Sequence, residues 1–183
     1  MARLYLVRHG RASAGFSESH DPGLDDVGHE QADAVARELE PHGPLAILTS
    51  PLKRARETSA PLARLWNMEP VVEAAVAEIP SPTNSLEERA MWLRNFMAGS
   101  WRHATPPLAQ WREDAIAVLL GVRGDSVIFT HYIAINVAAG AATGNDNIVV
   151  FSPDNTSVTI FENDDNMLRL IERGREAPLT RVN

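Results

Sequence analysis

The sequence of 183 residues contains no cysteine. Disulfides, thiolate metal sites and a cysteine nucleophile are therefore excluded. No apolar run approaches the roughly 18 residues that a membrane span needs. The first residues enter a strand pattern almost at once, without the charged and apolar stages of a signal peptide. These two absences point to the cytoplasm. No His-x-His or His-Glu-x-x-His pattern occurs, which speaks against a zinc hydrolase. No metal and no cofactor are expected. Positive charge is also in deficit: 17 Lys and Arg stand against 24 Asp and Glu, a formal net charge of −7. So acidic a chain is a poor binder of nucleic acid by its general field. Any cationic pocket must come from a few arginines set close together. Repeats and low-complexity tracts are absent too.

What is present suits one globular domain over residues 1–183, with 44% hydrophobic and 22% charged residues. Leu4-Tyr5-Leu6-Val7 is a short buried-strand pattern running into Arg8-His9-Gly10. In an open α/β sheet, ligands bind just beyond the carboxyl ends of the strands. A polar loop over 11–23 follows. Asp25 then caps a helix whose face is Val27, Gln31, Ala32, Val35, Ala36 and Leu39. Leu45–Thr49 is a second buried strand. Ser50 reads as the N-cap of the next helix and Pro51 as its first residue, which makes an anion site of that N-terminus. Arg54 lies one turn in; Arg56 falls near the opposite side.

Pro70–Glu73 reads as a short edge strand. Glu78 sits between apolar neighbours, where desolvation raises a carboxyl pKa. Ser85 to about Gly99 is a helix with a capping box of Ser85 and Glu88. Pro106-Pro107 starts another. Trp92, Phe96, Trp101 and Trp111 read as core packing or as a roof over the pocket. Ser126–Thr130 is a buried strand ending at His131, and a helix follows from Tyr132 to about Gly140. Val149–Phe151 reads as a strand. Residues 157–162 and 167–171 read as a hairpin, and 176–183 as a loose tail. Strands alternating with helices give an α/β doubly wound, mostly parallel sheet in three layers, with an antiparallel C-terminal element.

Three strand ends thus carry Arg8-His9, Ser50 with Arg54, and His131. Two arginines and two histidines drawn together are unfavourable unless an anion fills the cluster. Phosphate suits guanidinium forks. These stretches resemble the histidine phosphatase superfamily, which includes the phosphoglycerate mutases. The matching residues are Leu6-Val7-Arg8-His9-Gly10; Leu24, Gly28, Gln31 and Ala32; Ser50-Pro51-Leu52-Lys53-Arg54-Ala55 with Glu57-Thr58; Val76-Ala77-Glu78; and Thr130-His131. The resemblance implies that His9 is a nucleophile that becomes phosphorylated. Arg8, Arg54 and His131 then hold the phosphoryl oxygens, and Glu78 protonates the leaving group.

The chain departs from the family pattern in four ways. Gly15 stands where many members have asparagine. Arg11, Ser13 or a loop N–H is the expected replacement contact. Tyr132 stands where glycine is common and should narrow the pocket. Ile79-Pro80-Ser81-Pro82 replaces the mutases' stretch after the glutamate, and the mutases' extra insertions are missing. A compact, metal-independent phosphomonoesterase is therefore expected, acting on a phosphorylated small molecule. The candidate substrate rim is Arg11, Ser13, His20 and Tyr132. His29, His42 and His103 read as surface residues. The rival readings are a phosphohistidine-protein phosphatase, a phosphoglycerate-type mutase and a non-catalytic phosphate-ligand sensor.

Overall fold

A computed structural model describes residues 1–164 and 166–178. Six strands form one sheet in the order β3-β2-β4-β1-β5-β6. They are β1 (Ala2–Arg8), β2 (Ala46–Thr49), β3 (Val71–Val72), β4 (Ser126–Thr130), β5 (Val158–Asn163) and β6 (Leu168–Glu172). β1, β2, β3 and β4 are mutually parallel, β5 is antiparallel to β1, and β6 is antiparallel to β5. The helices are α1 (Asp26–Leu39), α2 (Lys53–Trp66), α3 (Leu86–Met97), α4 (Pro106–Gly121) and α5 (Tyr132–Thr143). This is the three-layer, doubly wound architecture with an antiparallel end that the alternation of patterns implies.

Strand alternation explains the layers. Leu4 and Leu6 of β1 and Ile128 of β4 pack against Leu119 of α4 and Ile135 and Ala138 of α5. Tyr5, Val7, Val127 and Phe129, of opposite parity, pack against Val35, Ala36 and Leu39 of α1 and Leu62 of α2. Both faces are covered, so the central strands read as continuous apolar runs. Register then fixes the site. Arg8 pairs with Thr130, and Thr49 with Phe129, so β1, β2 and β4 end at one level of the same edge.

Several local expectations are corrected. On α1, Val27 is exposed and Gly28 takes the buried position. A Cβ at Gly10 would come within 2.7 Å of the Gly28 carbonyl, and one at Gly28 would overlap the Arg11 carbonyl. Both glycines are needed for the loop after His9 to lie on α1. α5 continues past Gly140 to Thr143, because Gly140 lets the Asn145 carbonyl approach and Gly144 ends the helix at φ 68°. Residues 149–151 form no strand: the Val150 and Phe151 N–H groups donate to the buried Asn136 Oδ1 instead of to a ladder. The capping box of α3 is half made. Ser85 accepts from Glu88 N, but Glu88 takes the Thr83 hydroxyl. The tail is tied at its start, where the Ala177 N–H donates to the Ser152 carbonyl, and 179–183 lie outside the described residues.

Candidate active site

His9 is the first residue beyond β1. Its N–H donates to the Thr130 carbonyl, which extends the β1–β4 pairing by one residue and orients the side chain outward from the strand ends. Nδ1 lies 2.7 Å from the Gly10 carbonyl oxygen. A carbonyl only accepts, so Nδ1 carries the proton. Nε2 then carries the lone pair, which the Arg54 Nε–H meets at 3.1 Å. Both partners select the same tautomer. Burial, Arg54 and Arg8 together hold the imidazole well below its ordinary pKa, against the smaller pull of the Gly10 bond. The ring is neutral, with its lone pair at Nε2.

Arg8 is 2% exposed, the most deeply buried charge in the site. It is held by the loop over 152–157, where its Nη1 donates to the Pro153 carbonyl at 2.9 Å. The Tyr132 ring lies under its guanidinium, 5.1 Å away, and the Tyr132 hydroxyl is fixed by Ser152 at 3.0 Å. The same loop grips the backbone of Arg8 and His9: Asn155 Nδ2 donates to the His9 carbonyl and Thr156 N to the Arg8 carbonyl. Thr156 pays for that reach with φ 54°, unusual for a β-branched residue. Nothing in the residue pattern marked Pro153, Asn155 or Thr156. The only cue was a turn-forming run, Ser-Pro-Asp-Asn, after an ambiguous segment.

Arg54 lies in the first turn of α2, but the helix start differs from expectation. The N-cap is Leu52, not Ser50, and it contributes no side-chain bond. Asp21, from the loop over 11–23, accepts from Lys53 N at 2.9 Å and lies 3.9 Å from Arg54 Nη1. The anion at this N-terminus is thus the chain's own carboxylate. Thr58, fully buried one turn on, accepts from Gly10 N at 3.0 Å and donates to the Arg54 carbonyl at 2.6 Å. Ser50 is occupied elsewhere, with its Oγ 2.7 Å from His131 Nε2.

His131 is fully buried beside His9, ring centroids 5.1 Å apart, and is held neutral by burial, Arg54, His9 and Arg8. Glu78 closes the group. Its carboxylate accepts from the N–H of Ile79 and from that of Ile133 in the first turn of α5. Burial raises its pKa, and those N–H groups with Arg54 and Arg8 only partly oppose the rise. Glu73, the other nearby carboxylate, caps a 3₁₀ turn through Ala75 N.

Arg8, His9, Arg54, Glu78 and Tyr132 line one cavity of about 410 Å³. Its walls are loop residues including Gly15, Phe16 and His20, and α3 residues Ala90, Leu93, Arg94 and Met97. Of the four candidate rim residues, His20 and Tyr132 line it. Arg11 and Ser13 do not: Arg11 pairs with Asp25, and the Ser13 N–H closes the loop onto Gly23. The Gly15 N–H is taken by the Glu18 carboxylate. The aromatics pack on the core: Trp92 stacks on Phe96, Phe96 meets the buried Trp101 edge-on, Trp101 stacks on Trp111, and none lines the cavity. The loop is instead docked on α3 by Arg89, whose guanidinium lies 4.1 Å from the Phe16 ring and donates to His20 Nδ1 at 2.9 Å. A larger groove of about 730 Å³ runs along α2 and carries Arg56, but none of the clustered histidines. Among the described residues, no group of three His, Cys, Asp or Glu is placed to hold a metal ion, and no helix is long and apolar enough to cross a membrane.

The fold and sequence have relatives. An uncharacterised protein of Picosynechococcus is 31% identical over 165 residues, covering 82% of this chain and 96% of that one. Longer mycobacterial proteins match at 36–40% identity over 80 or 81 residues, and the chain spans only 14–22% of their lengths. Phosphoserine phosphatase from Entamoeba histolytica superimposes with a TM-score of 0.75 at 21% identity, covering 96% of this chain and 98% of that one. Mycobacterial glucosyl-3-phosphoglycerate phosphatase gives 0.73 at 19%, covering 96% and 100%. The model of one family runs from residue 4, in β1, to residue 174, just past β6, and by that match the chain belongs to branch 1 of the histidine phosphatase superfamily.

Proposed function

We propose that the protein is a phosphomonoester hydrolase that works without a metal ion, through a phosphohistidine at His9. The observation that carries this reading is the state of the His9 ring: neutral, with Nδ1 locked on the Gly10 carbonyl and Nε2 turned to Arg54. Phosphoryl transfer is mainly positioning plus stabilisation of charge on the equatorial oxygens. Arg8 and Arg54 bring two fixed positive charges to that task. On substrate binding the Arg54 Nε–H passes from His9 to a phosphoryl oxygen, which frees the lone pair.

The Nε2–P bond then forms and the P–O ester bond breaks. Glu78, whose pKa burial raises, gives a proton to the leaving oxygen, so an alcohol departs rather than an alkoxide. In the second half, water attacks phosphorus while the Glu78 carboxylate takes its proton. The Nε2–P bond breaks and inorganic phosphate leaves. Two structural neighbours named as phosphatases of small phosphorylated metabolites support a small phosphomonoester as substrate. So does a cavity of about 410 Å³.

The test is His9→Ala assayed on a panel of phosphomonoesters. Turnover and the acid-labile phosphoenzyme should disappear together, while phosphate binding by Arg8, Arg54 and His131 persists. Full turnover in His9→Ala sinks the mechanism.

A further inference from the structure

His131 has one polar atom without a partner. Its Nδ1 is buried and makes no hydrogen bond among the described residues. The groups acting on the ring are Arg54, His9 and Arg8, so it sits within the cationic cluster. A neutral imidazole has one proton to place, and the two placements have opposite consequences for an anion. With the proton on Nε2, Nδ1 offers a lone pair that repels a phosphoryl oxygen. With the proton on Nδ1, the ring donates to it.

The partner of Nε2 decides between them. Ser50 is fully buried, and its Oγ already accepts the Leu52 N–H at 3.1 Å. If His131 Nε2 also donated, Ser50 Oγ would receive two donors. Its own hydroxyl proton would then have no acceptor, at the cost of a buried unsatisfied donor. If Ser50 donates to Nε2, the hydroxyl proton has its acceptor and the oxygen still receives the Leu52 N–H, so no donor is left unsatisfied and Nδ1 carries the proton.

We propose that Ser50 is a positioning residue: it donates to His131 Nε2, fixes the Nδ1–H tautomer, and so turns His131 into a hydrogen-bond donor to the phosphoryl group. This rests on the phosphatase reading for the identity of the anion, but the tautomer is a property of the free protein. The arrangement also ties His131 to α2. The Leu52 N–H that occupies Ser50 Oγ belongs to the N-cap of the helix bearing Arg54, so the phosphoryl donors on β4 and α2 share one hydroxyl as reference.

The experiment is two-bond ¹H–¹⁵N correlation NMR of His131 in the free protein, joined to a double-mutant cycle. The wild-type ring should show a protonated Nδ1 and an unprotonated Nε2. Ser50→Ala should lose that single tautomer and lower kcat/KM by about 10- to 100-fold, the worth of one donor to a charged group. In a His131→Ala background the same change should cost less than about threefold, since Ser50 acts through that ring. Ser50→Thr, which keeps the hydroxyl, should retain the tautomer. A wild-type ring protonated at Nε2 overturns the proposal whether or not the enzyme turns over. So does a Ser50→Ala loss of full size in the His131→Ala background. If Ser50→Ala fails to fold, the wild-type tautomer still decides. Absence of turnover and phosphate binding in a wild type with protonated Nδ1 would count against the phosphatase reading alone.

Discussion

Lowering the pH should destabilise this protein well before its carboxylates titrate. His9 and His131 are buried among arginines and held neutral, well below the ordinary imidazole value of 6.5. In the unfolded chain both take up a proton near 6.5; in the folded chain neither does until the pH falls much further. A depressed folded pKa gives stability that is present above the unfolded value and lost as pH falls toward the folded one. Each histidine contributes a slope of about 1.4 kcal/mol per pH unit in that window, so the pair contributes about 2.7. Glu78 acts in the opposite sense. Its folded pKa is raised, so below that value the folded state binds its proton before the unfolded state does. One of the two slopes is offset there, down to the ordinary glutamate range. The curve should therefore fall below pH 6.5, less steeply wherever Glu78 takes up its proton in the folded state. Urea unfolding at half-unit steps from pH 7.5 to 4.5, in buffer free of phosphate and sulfate, reads this directly. Anions are excluded because any that fill the cluster stabilise the folded state. His9→Asn and His131→Asn should each remove about half of the initial slope. A stability constant within about 0.5 kcal/mol between pH 6.5 and 5.5, where the two histidines call for a fall of about 2 and the Glu78 offset removes at most about half of it, would refute the neutral-ring reasoning and the nucleophile with it.

Glu78→Gln should slow hydrolysis of alkyl phosphates by about 10²–10⁴-fold and of nitrophenyl phosphate far less, because only the alkyl leaving group needs the proton; Glu73→Gln, whose amide oxygen can still accept the Ala75 N–H, should leave both rates nearly unchanged. Equal slowing of both substrates would reassign Glu78 to positioning. The same variant should lose the alkaline limb of the alkyl phosphate rate profile, since a raised pKa keeps the wild-type acid active only until pH passes it. Arg54→Ala should cost roughly 2–5 kcal/mol of transition-state stabilisation measured from kcat/KM. Arg56→Ala, on the groove along α2, should cost little.

The strand ends were legible because buried parallel strands are continuous apolar runs, and residues just beyond them have one common destination. Arg8, His9, Arg54 and His131 could therefore be drawn together from the residue pattern alone. What escaped was every contact set by a segment arriving from elsewhere. Ser50 stood where an N-cap belongs, yet Asp21 bonds the first N–H of α2, because a loop thirty residues earlier folds back over it. Arg11 had the charge for a rim but lies beside Asp25, the cap of α1, which claims it. Pro153 holds Arg8 through a backbone carbonyl, and a carbonyl has no residue type to read. The four large aromatics are neighbours in sequence and in space, but α3 turns its Leu93 and Met97 to the cavity and stacks its rings behind.

The Thr58 hydroxyl joins the turn after His9 to the carbonyl of Arg54, so the proposed attacking group and its charge partner are tied through one side chain. The walls that would sort substrates, the 11–23 loop and α3, meet each other through Phe16, His20 and Arg89. Reaction chemistry and substrate preference are therefore carried by separable modules. Exchanging the loop residues that face α3, with Asp21 kept on the Lys53 N–H beside Arg54, together with the facing side of α3 should alter which phosphoesters are accepted without resetting the geometry of transfer. That separation gives one catalytic frame room to diversify by wall replacement.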